Sequence, residues 1–233
     1  MSIRKTALKA ERDAELRPPG RASVDRVVRL LRRRIAQHQI LPGSRLREWD
    51  VAAEFSIPRL AAREALDGLV HQGFAEREPN RGVRVSRRTL VEVLQLFELR
   101  EVNEGLCARL AATGVAPESW EDLIDFFGEP MGQIVAEKDL TSYVRTYNRL
   151  RQRMMVAAGS PPLTELLRRL QDLTAVVSQR VLLVTNRTEQ ALAEHRMLLG
   201  ALRRGDADEA ERVRRVTVTS VRTLIEKYAT FIL

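Results

Sequence analysis

The chain has 233 residues, 44% of them hydrophobic and 30% charged, with a formal net charge of +8. That much apolar material supports one large packed domain or two modest ones and excludes global disorder. No run of eighteen apolar residues occurs, so no membrane-spanning helix is expected. The single cysteine, Cys107, rules out an intrachain disulfide framework, fits a reducing compartment and is expected to serve as core packing. The charge is uneven: residues 1–20 carry five basic and three acidic side chains, residues 21–90 fifteen and eight, residues 91–233 nineteen and twenty. A basic module that meets a polyanion, followed by a near-neutral module with another task, is the expected organisation.

Residues 1–22 read as a basic N-terminal arm. "MSIRKTALKAERDAELRPPG" has no apolar block before a small-residue cleavage site, so it is not expected to be a signal peptide, and its "PPG" is a stop. Ser23 is the expected N-cap of "VDRVVRLLRRRIAQHQI", whose Val24, Val27, Val28, Leu31 and Ile35 recur at helical spacing. "LPGSRL" (41–46) is expected to be a turn, and "EWDVAAEF" (48–55) a short second helix ended by Ser56 and Ile57. Pro58 suits the first position of a third helix, which runs to about Gln72 before Gly73, with Ala62, Leu66, Leu69 and Val70 inward. "FAEREPNRGVRV" (74–85) carries a hairpin signal with glycine in the turn. Helix, helix, tight turn, helix, hairpin is the winged helix-turn-helix pattern, and it occupies residues 23–88.

From residue 89 to 233 only helical periodicity remains. The expected helices are 89–113, 118–127, 130–136, 139–158, 161–184, 187–204 and 206–230, joined by "GSPP" (159–162) and "RRGDAD" (203–208). The predicted fold is therefore mainly α: an N-terminal winged helix-turn-helix with a small β hairpin, then an all-α bundle able to enclose a pocket.

Arg59 and Arg63 stand one turn apart at the start of the third helix. In a helix-turn-helix that turn enters the major groove, where arginine donates two parallel hydrogen bonds to guanine or pairs with a phosphate. Arg45 and Arg47 are placed to hold the DNA backbone, and Arg81 and Arg84 lie in the wing with Gly82, whose missing side chain lets the tip approach DNA. The bland alternative for any one of these arginines is a solvated surface.

"ILPGSRLREWDVAAEFSIPRLAAREALDGLVHQGFAEREPNRGVRV" (40–85) closely resembles the DNA-binding domain of the GntR family of bacterial transcriptional regulators. "LPG", "REAL" (63–66), "GF" (73–74) and "PNRGVRV" (79–85) carry the resemblance, the last placing Asn80 in the wing. The remainder resembles the FadR-type effector domain, FCD, through "LFELREVNEGLCARLAA" (96–112), "AAGSPPLTELL" (157–167) and "LAEHRMLLGALRRGDADEAE" (192–211). The resemblance implies a dimer that binds a near-palindromic operator under small-molecule control. Pro58 stands where relatives usually carry a polar Ser or Thr, Leu60 and Ala61 stand where Thr or Pro is common, and Trp49 replaces a usual arginine. Leu60 or Ala61 is expected to touch a thymine methyl in place of hydrogen bonding.

Many FCD domains hold a divalent cation with one aspartate and three histidines. Those positions correspond here to Tyr147, Arg151, His195 and Thr217, so one ligand of four remains, and no metal or other cofactor is expected. Arg151 would place a permanent cation where the metal's charge would have been and hold a carboxylate, with Tyr147, His195 and Thr217 adding hydrogen bonds and Arg100 at a position resembling a pocket-facing arginine. The alternative for Arg151 is an internal partner such as Glu104, or solvent; for His195 it is a hydrogen-bonded core histidine.

The sequence thus predicts a cytoplasmic, homodimeric, DNA-binding transcription regulator, a repressor of metabolic genes controlled by a carboxylated metabolite. Two other readings compete: a regulator whose pocket is filled by side chains, and a helical enzyme with a basic appendage. The enzyme reading is weak, because of three histidines His38 and His71 fall in the DNA-binding module and no nucleophile–base pair or phosphate loop is apparent.

Overall fold

The computed structural model describes residues 21–37, 39–78, 82–184 and 186–232. Its internal contacts divide the chain after Arg87 into two units. Of the expected N-terminal arm (1–22), residues 1–20 lie outside the described residues, as do the wing-tip residues Asn80 and Arg81, while Arg21 and Ala22 belong to the first helix.

The first unit contains helix α1 (Arg21–Ala36), strand β1 (Arg45–Leu46), helices α2 (Glu48–Phe55) and α3 (Arg59–His71), and strands β2 (Ala75–Glu78) and β3 (Gly82–Val85). Ser23, expected as a cap, lies inside α1. Serine costs only a few tenths of a kcal/mol within a helix, so the backbone hydrogen bonding carries through it. The buried face of α1 is Val27, Val28 and Leu31, as its periodicity requires.

The expected two-stranded hairpin is a three-stranded antiparallel sheet in the order β1–β3–β2. "LPGSRL" is only in part a turn, because Arg45 and Leu46 pair with Arg84 and Val83. Two residues are too few to show the period-two alternation by which strands are read. Within β3 the pattern is plain: Val83 and Val85 are buried while Arg84 between them points the other way.

The helix-turn-helix corner is built by backbone chemistry. Ser56 adopts the left-handed region (φ 51°) at the end of α2, and the Ile57 N–H donates to the Ala52 carbonyl. Pro58 is the N-cap of α3, one position earlier than expected, because its ψ of 148° is extended; the Pro58 carbonyl accepts from the Ala62 N–H. At the other end Gly73 (φ 78°) supplies the left-handed residue of a Schellman closure. The Phe74 N–H donates to Leu69 and the Gly73 N–H to Val70, at 3.0 and 2.9 Å.

The second unit is all-helical: α4 (Leu90–Gly114), a 3-10 turn (Pro117–Trp120), α5 (Glu121–Phe126), α6 (Glu129–Ala136), α7 (Leu140–Ala157), α8 (Pro161–Val181), α9 (Arg187–Arg203), α10 (Ala207–Lys227) and α11 (Ala229–Ile232). Thr89 starts α4 with a capping box, its hydroxyl accepting from the Glu92 N–H while the Glu92 carboxylate accepts from the Thr89 N–H. Asp139 and Asp206 cap α7 and α10 through the N–H groups of Ser142 and Glu209. At the end of α4, Gly114 is obligatory: a Cβ there would sit 2.0 Å from the Ala157 carbonyl oxygen. The expected helix 118–127 is instead a 3-10 turn and a one-and-a-half-turn helix, since Trp120, fully buried, anchors the junction. The expected final helix also breaks, at Tyr228.

The main core joins Trp120, Phe127, Met131, Tyr143, Leu150, Leu198 and Leu202, among others. Cys107 belongs to it, and burial pushes its thiol up to about 11, so it is a packing residue without thiolate character.

Candidate nucleic-acid interface and candidate ligand site

On α3 the buried positions are Ala61, Ala62, Ala65, Leu66 and Leu69. This stripe is one helical face, so Arg59, Leu60, Arg63 and Glu64 must project from the other, and all four are exposed. Ala61, expected as a thymine-methyl contact, is 0% exposed and packs inward; Leu60, 57% exposed, remains on the outer face. Of the predicted inner face, Ala62, Leu66 and Leu69 are buried and Val70 is half-buried, while Ala61 and Ala65 join it unpredicted. Alanine carries too little hydrophobicity to mark its own side.

Arg59 is held at the first turn of α3. Its Nε donates to Glu48 Oε2 at 2.8 Å, and its guanidinium carbon lies 5.3 Å from the centre of the Trp49 ring. Trp49 is 67% exposed. Arg63, one turn on, is exposed, as are Arg45 in β1 and Arg47 at the N-cap of α2. Pro58 is half-buried at the corner. In the wing, Gly82 has φ 86° with open space where a Cβ would go, whereas Arg84 is half-buried in an ion pair with Glu78 at 2.7 Å. Exposed Arg59 and Arg63 at the start of α3, with exposed Arg47 at the N-cap of α2 and Arg45 in β1, place cations at the entry of a helix, the arrangement that fits a DNA groove.

In the second unit Arg100, Arg187 and Arg214 are buried. Tyr147 on α7 stacks on His195 of α9, with ring centroids 4.7 Å apart and planes 9° from parallel. Arg151, one turn after Tyr147, sits over the same ring at 5.4 Å, and Arg214 from α10 approaches it at 5.7 Å. Arg214 Nη2 donates to the Tyr147 hydroxyl at 2.6 Å and also pairs with Glu104. Three of the four predicted positions, Tyr147, Arg151 and His195, are thus brought together. Thr217 is buried, but its hydroxyl donates to its own helix at the Val213 carbonyl, 3.0 Å away. Arg100 is consumed structurally, donating to Glu104 at 2.7 Å and to Thr174 and Ser178 at 3.0 Å.

Sequence reasoning missed Arg214, which is 1% exposed, and the Arg100–Glu104–Arg214 bridge. It also missed Tyr143 and the Arg187–Glu194 pair beside His195. Spacing held a signal for two of them: Arg214 is three residues before Thr217 and Tyr143 four before Tyr147, each on one helical face.

The electrostatics follow from burial. The Glu104 carboxyl is held far below the usual carboxylate range: burial acts to raise it, but Arg100, Arg214 and Arg151 together overcome that. His195 is driven well below its ordinary value by burial first, then by Arg214 and Arg187, so it is neutral. Burial also lowers Arg151, with Tyr147 and Glu104 opposing. Burial raises Tyr143, which keeps its proton. The Tyr143 hydroxyl lies 3.3 Å from His195 Nε2, and the tautomer of the neutral ring sets which of the two donates. His195 Nδ1, Arg151 Nε and Nη2, Arg214 Nε and Arg187 Nε are all buried without a hydrogen-bond partner. The four arginine nitrogens among these orphaned groups around the Tyr147–His195 pair are all donors, so the complement they call for is an acceptor-rich one. Among the described residues no three His, Cys, Asp or Glu side chains gather as a metal-ligand group.

Comparison with known proteins agrees with both halves of this geometry. Residues 23–85 match the model of the gntR family of bacterial regulatory proteins, and residues 95–219 match the FCD domain. The chain is a gntR-family regulatory protein with an FCD domain. Its family is one of bacterial regulatory proteins, not of enzymes. It is 33% identical over 87 residues to the HTH-type transcriptional repressor RspR of Escherichia coli K12, covering 37% of this chain and 38% of that one. The matched stretch thus spans less than half of that relative. It is 25% identical over 181 residues, 76% of this chain and 77% of the other, to the "Probable D-xylose utilization operon transcriptional repressor" of Paenarthrobacter nicotinovorans. The fold is shared with E. coli McbR/YncC, at a TM-score of 0.71 and 18% identity over 88% of this chain and 98% of that one. Among the described residues no helix is long and apolar enough to cross a membrane.

Proposed function

We propose that this gntR-family protein is a cytoplasmic repressor that binds a near-palindromic operator as a homodimer, Arg59 and Arg63 reading bases, and that a small carboxylate bound at Arg151 and His195 controls it. The observation that carries the DNA half is the outward face of α3, where Arg59 and Arg63 stand exposed above a buried alanine stripe. Arg45 and Arg47 flank that face and suit phosphates, with the wing at Gly82. Repression is supported by the relatives, two of which are named repressors. Homodimerisation is supported by the geometry of helix-turn-helix recognition, which uses two half-sites about one helical turn apart.

For the second unit, the orphaned donors support an anionic ligand in place of a metal. The donor set does not fit a divalent cation, since the one histidine is ringed by Arg151, Arg187 and Arg214. Selection of tight-binding duplexes from a randomised pool, followed by binding of Arg59→Ala and Arg63→Ala to the selected duplex, tests the first half. Retained affinity and preference in both variants would defeat it. Calorimetry with a panel of small mono-, di- and tricarboxylates tests the second, with binding expected for the wild type and abolished in Arg151→Gln. A second reading has its own observation: the Tyr147–His195 stack and the Arg100–Glu104–Arg214 bridge occupy the interior, as in a regulator without ligand control. Failure of the whole panel to bind would leave that reading standing.

A further inference from the structure

We propose that Glu48 and Trp49 are positioning residues for Arg59, holding its guanidinium so that the two terminal nitrogens, and not Nε, face the major groove. This rests on the reading of Arg59 as a base-contacting residue. A guanidinium offers two bidentate edges, the side formed by Nε with one terminal nitrogen and the end formed by both terminal nitrogens. Glu48 Oε2 takes the Nε–H at 2.8 Å and so closes the side edge. The end fork is left to match guanine O6 and N7.

Trp49 supplies the second constraint. Its ring lies 5.3 Å from the guanidinium carbon, a cation–π contact that gives the planar group a platform. Nothing in the core needs this tryptophan, which is 67% exposed. Both partners are consecutive residues in the first turn of α2, and Arg59 opens α3. The lock therefore spans the helix-turn-helix corner, whose shape the left-handed Ser56 and the Ile57–Ala52 hydrogen bond fix. The rotamer freedom of a long side chain, normally lost on binding, is thereby reduced in the free protein. Glu48 also sets an acidic group close to where phosphates pass, which opposes binding to DNA of any sequence.

These two effects give Glu48→Ala a signature of opposite signs. The test is selection and sequencing from a randomised duplex pool for the wild type, Arg59→Ala, Glu48→Ala, Trp49→Ala and Trp49→Phe, with affinity for an unselected duplex and melting temperature measured alongside. Arg59→Ala should flatten the preference at one guanine per half-site. Glu48→Ala and Trp49→Ala should each cut discrimination at that same guanine about tenfold, as for a weakened bidentate contact, and leave other positions and the melting temperature alone. Glu48→Ala should also bind the unselected duplex more tightly, and Trp49→Phe should restore discrimination. Wild-type discrimination at that guanine in both Glu48→Ala and Trp49→Ala, while Arg59→Ala flattens it, would overturn the positioning role alone. If Arg59→Ala flattens no position, the base-reading role of Arg59 fails and the positioning role falls with it.

Discussion

In the first unit Arg45, Arg47, Arg59 and Arg63 stand exposed; in the second Arg100, Arg187 and Arg214 are buried. The same side chain meets opposite conditions. An exposed guanidinium keeps its hydration, contributes little to stability and is available to a polyanion. A buried one must be paired, and losing its partner leaves an uncompensated charge in a poor solvent. The difference teaches that the exposed set can change without cost to the fold and the buried set cannot, so fold stability and DNA affinity should separate cleanly by unit.

The largest effect is expected at Glu104, which serves Arg100 and Arg214 together. Glu104→Ala should lose about 3–5 kcal/mol of unfolding free energy in a urea melt. A loss below about 1 kcal/mol, the range of exposed pairs, would erase the contrast between units. Next come Arg59→Ala and Arg63→Ala, each expected to cost about 1–3 kcal/mol of affinity for a selected duplex with an unchanged melting temperature. A fall in melting temperature in either would show that these arginines also hold the fold.

Acid should act on the second unit. His195 and Glu104 both have folded values below their unfolded ones, so the unfolded chain binds more protons and stability falls as pH falls. The His195 limb should begin below about pH 6.5 and the Glu104 limb below about pH 4.3, the ordinary values of the two groups. Measuring melting temperature against pH checks this, and His195→Gln should remove the upper limb only. The smallest effect is expected at Arg45 and Arg47. Replacing either by Ala should lower the salt slope of DNA binding by about 0.9 and leave base preference alone; an unchanged slope would put that residue off the DNA.

Much of the first unit was legible because its signals are local. Pro58, Gly73 and the apolar spacing of α1 and α3 mark ends and faces within one or two residues of where they fall. What was not legible depended on partners far along the chain. β1 exists only because Arg45 and Leu46 meet β3 some forty residues later. Ala61 reads as neutral until the stripe around it is seen buried. Arg214, within "RVRRVTV", looks like a solvated arginine, and only pairing with Glu104, 110 residues earlier, makes its burial possible. The positions taken for a lost metal site did converge, at Tyr147, Arg151 and His195, but the charge that organises them came from Arg214, whose helical spacing to Thr217 went unread among its neighbouring arginines.

Arg63 tests the central claim most directly, because it is exposed on the outer face of α3 and its loss removes no core packing. The measurement is the affinity of Arg63→Ala and wild type for a selected and an unselected duplex, with melting temperature taken on the same samples. The account predicts a loss of roughly tenfold or more on the selected duplex, a much smaller loss on the unselected one, and the same melting temperature. Equal affinities of the two proteins for the selected duplex would contradict it.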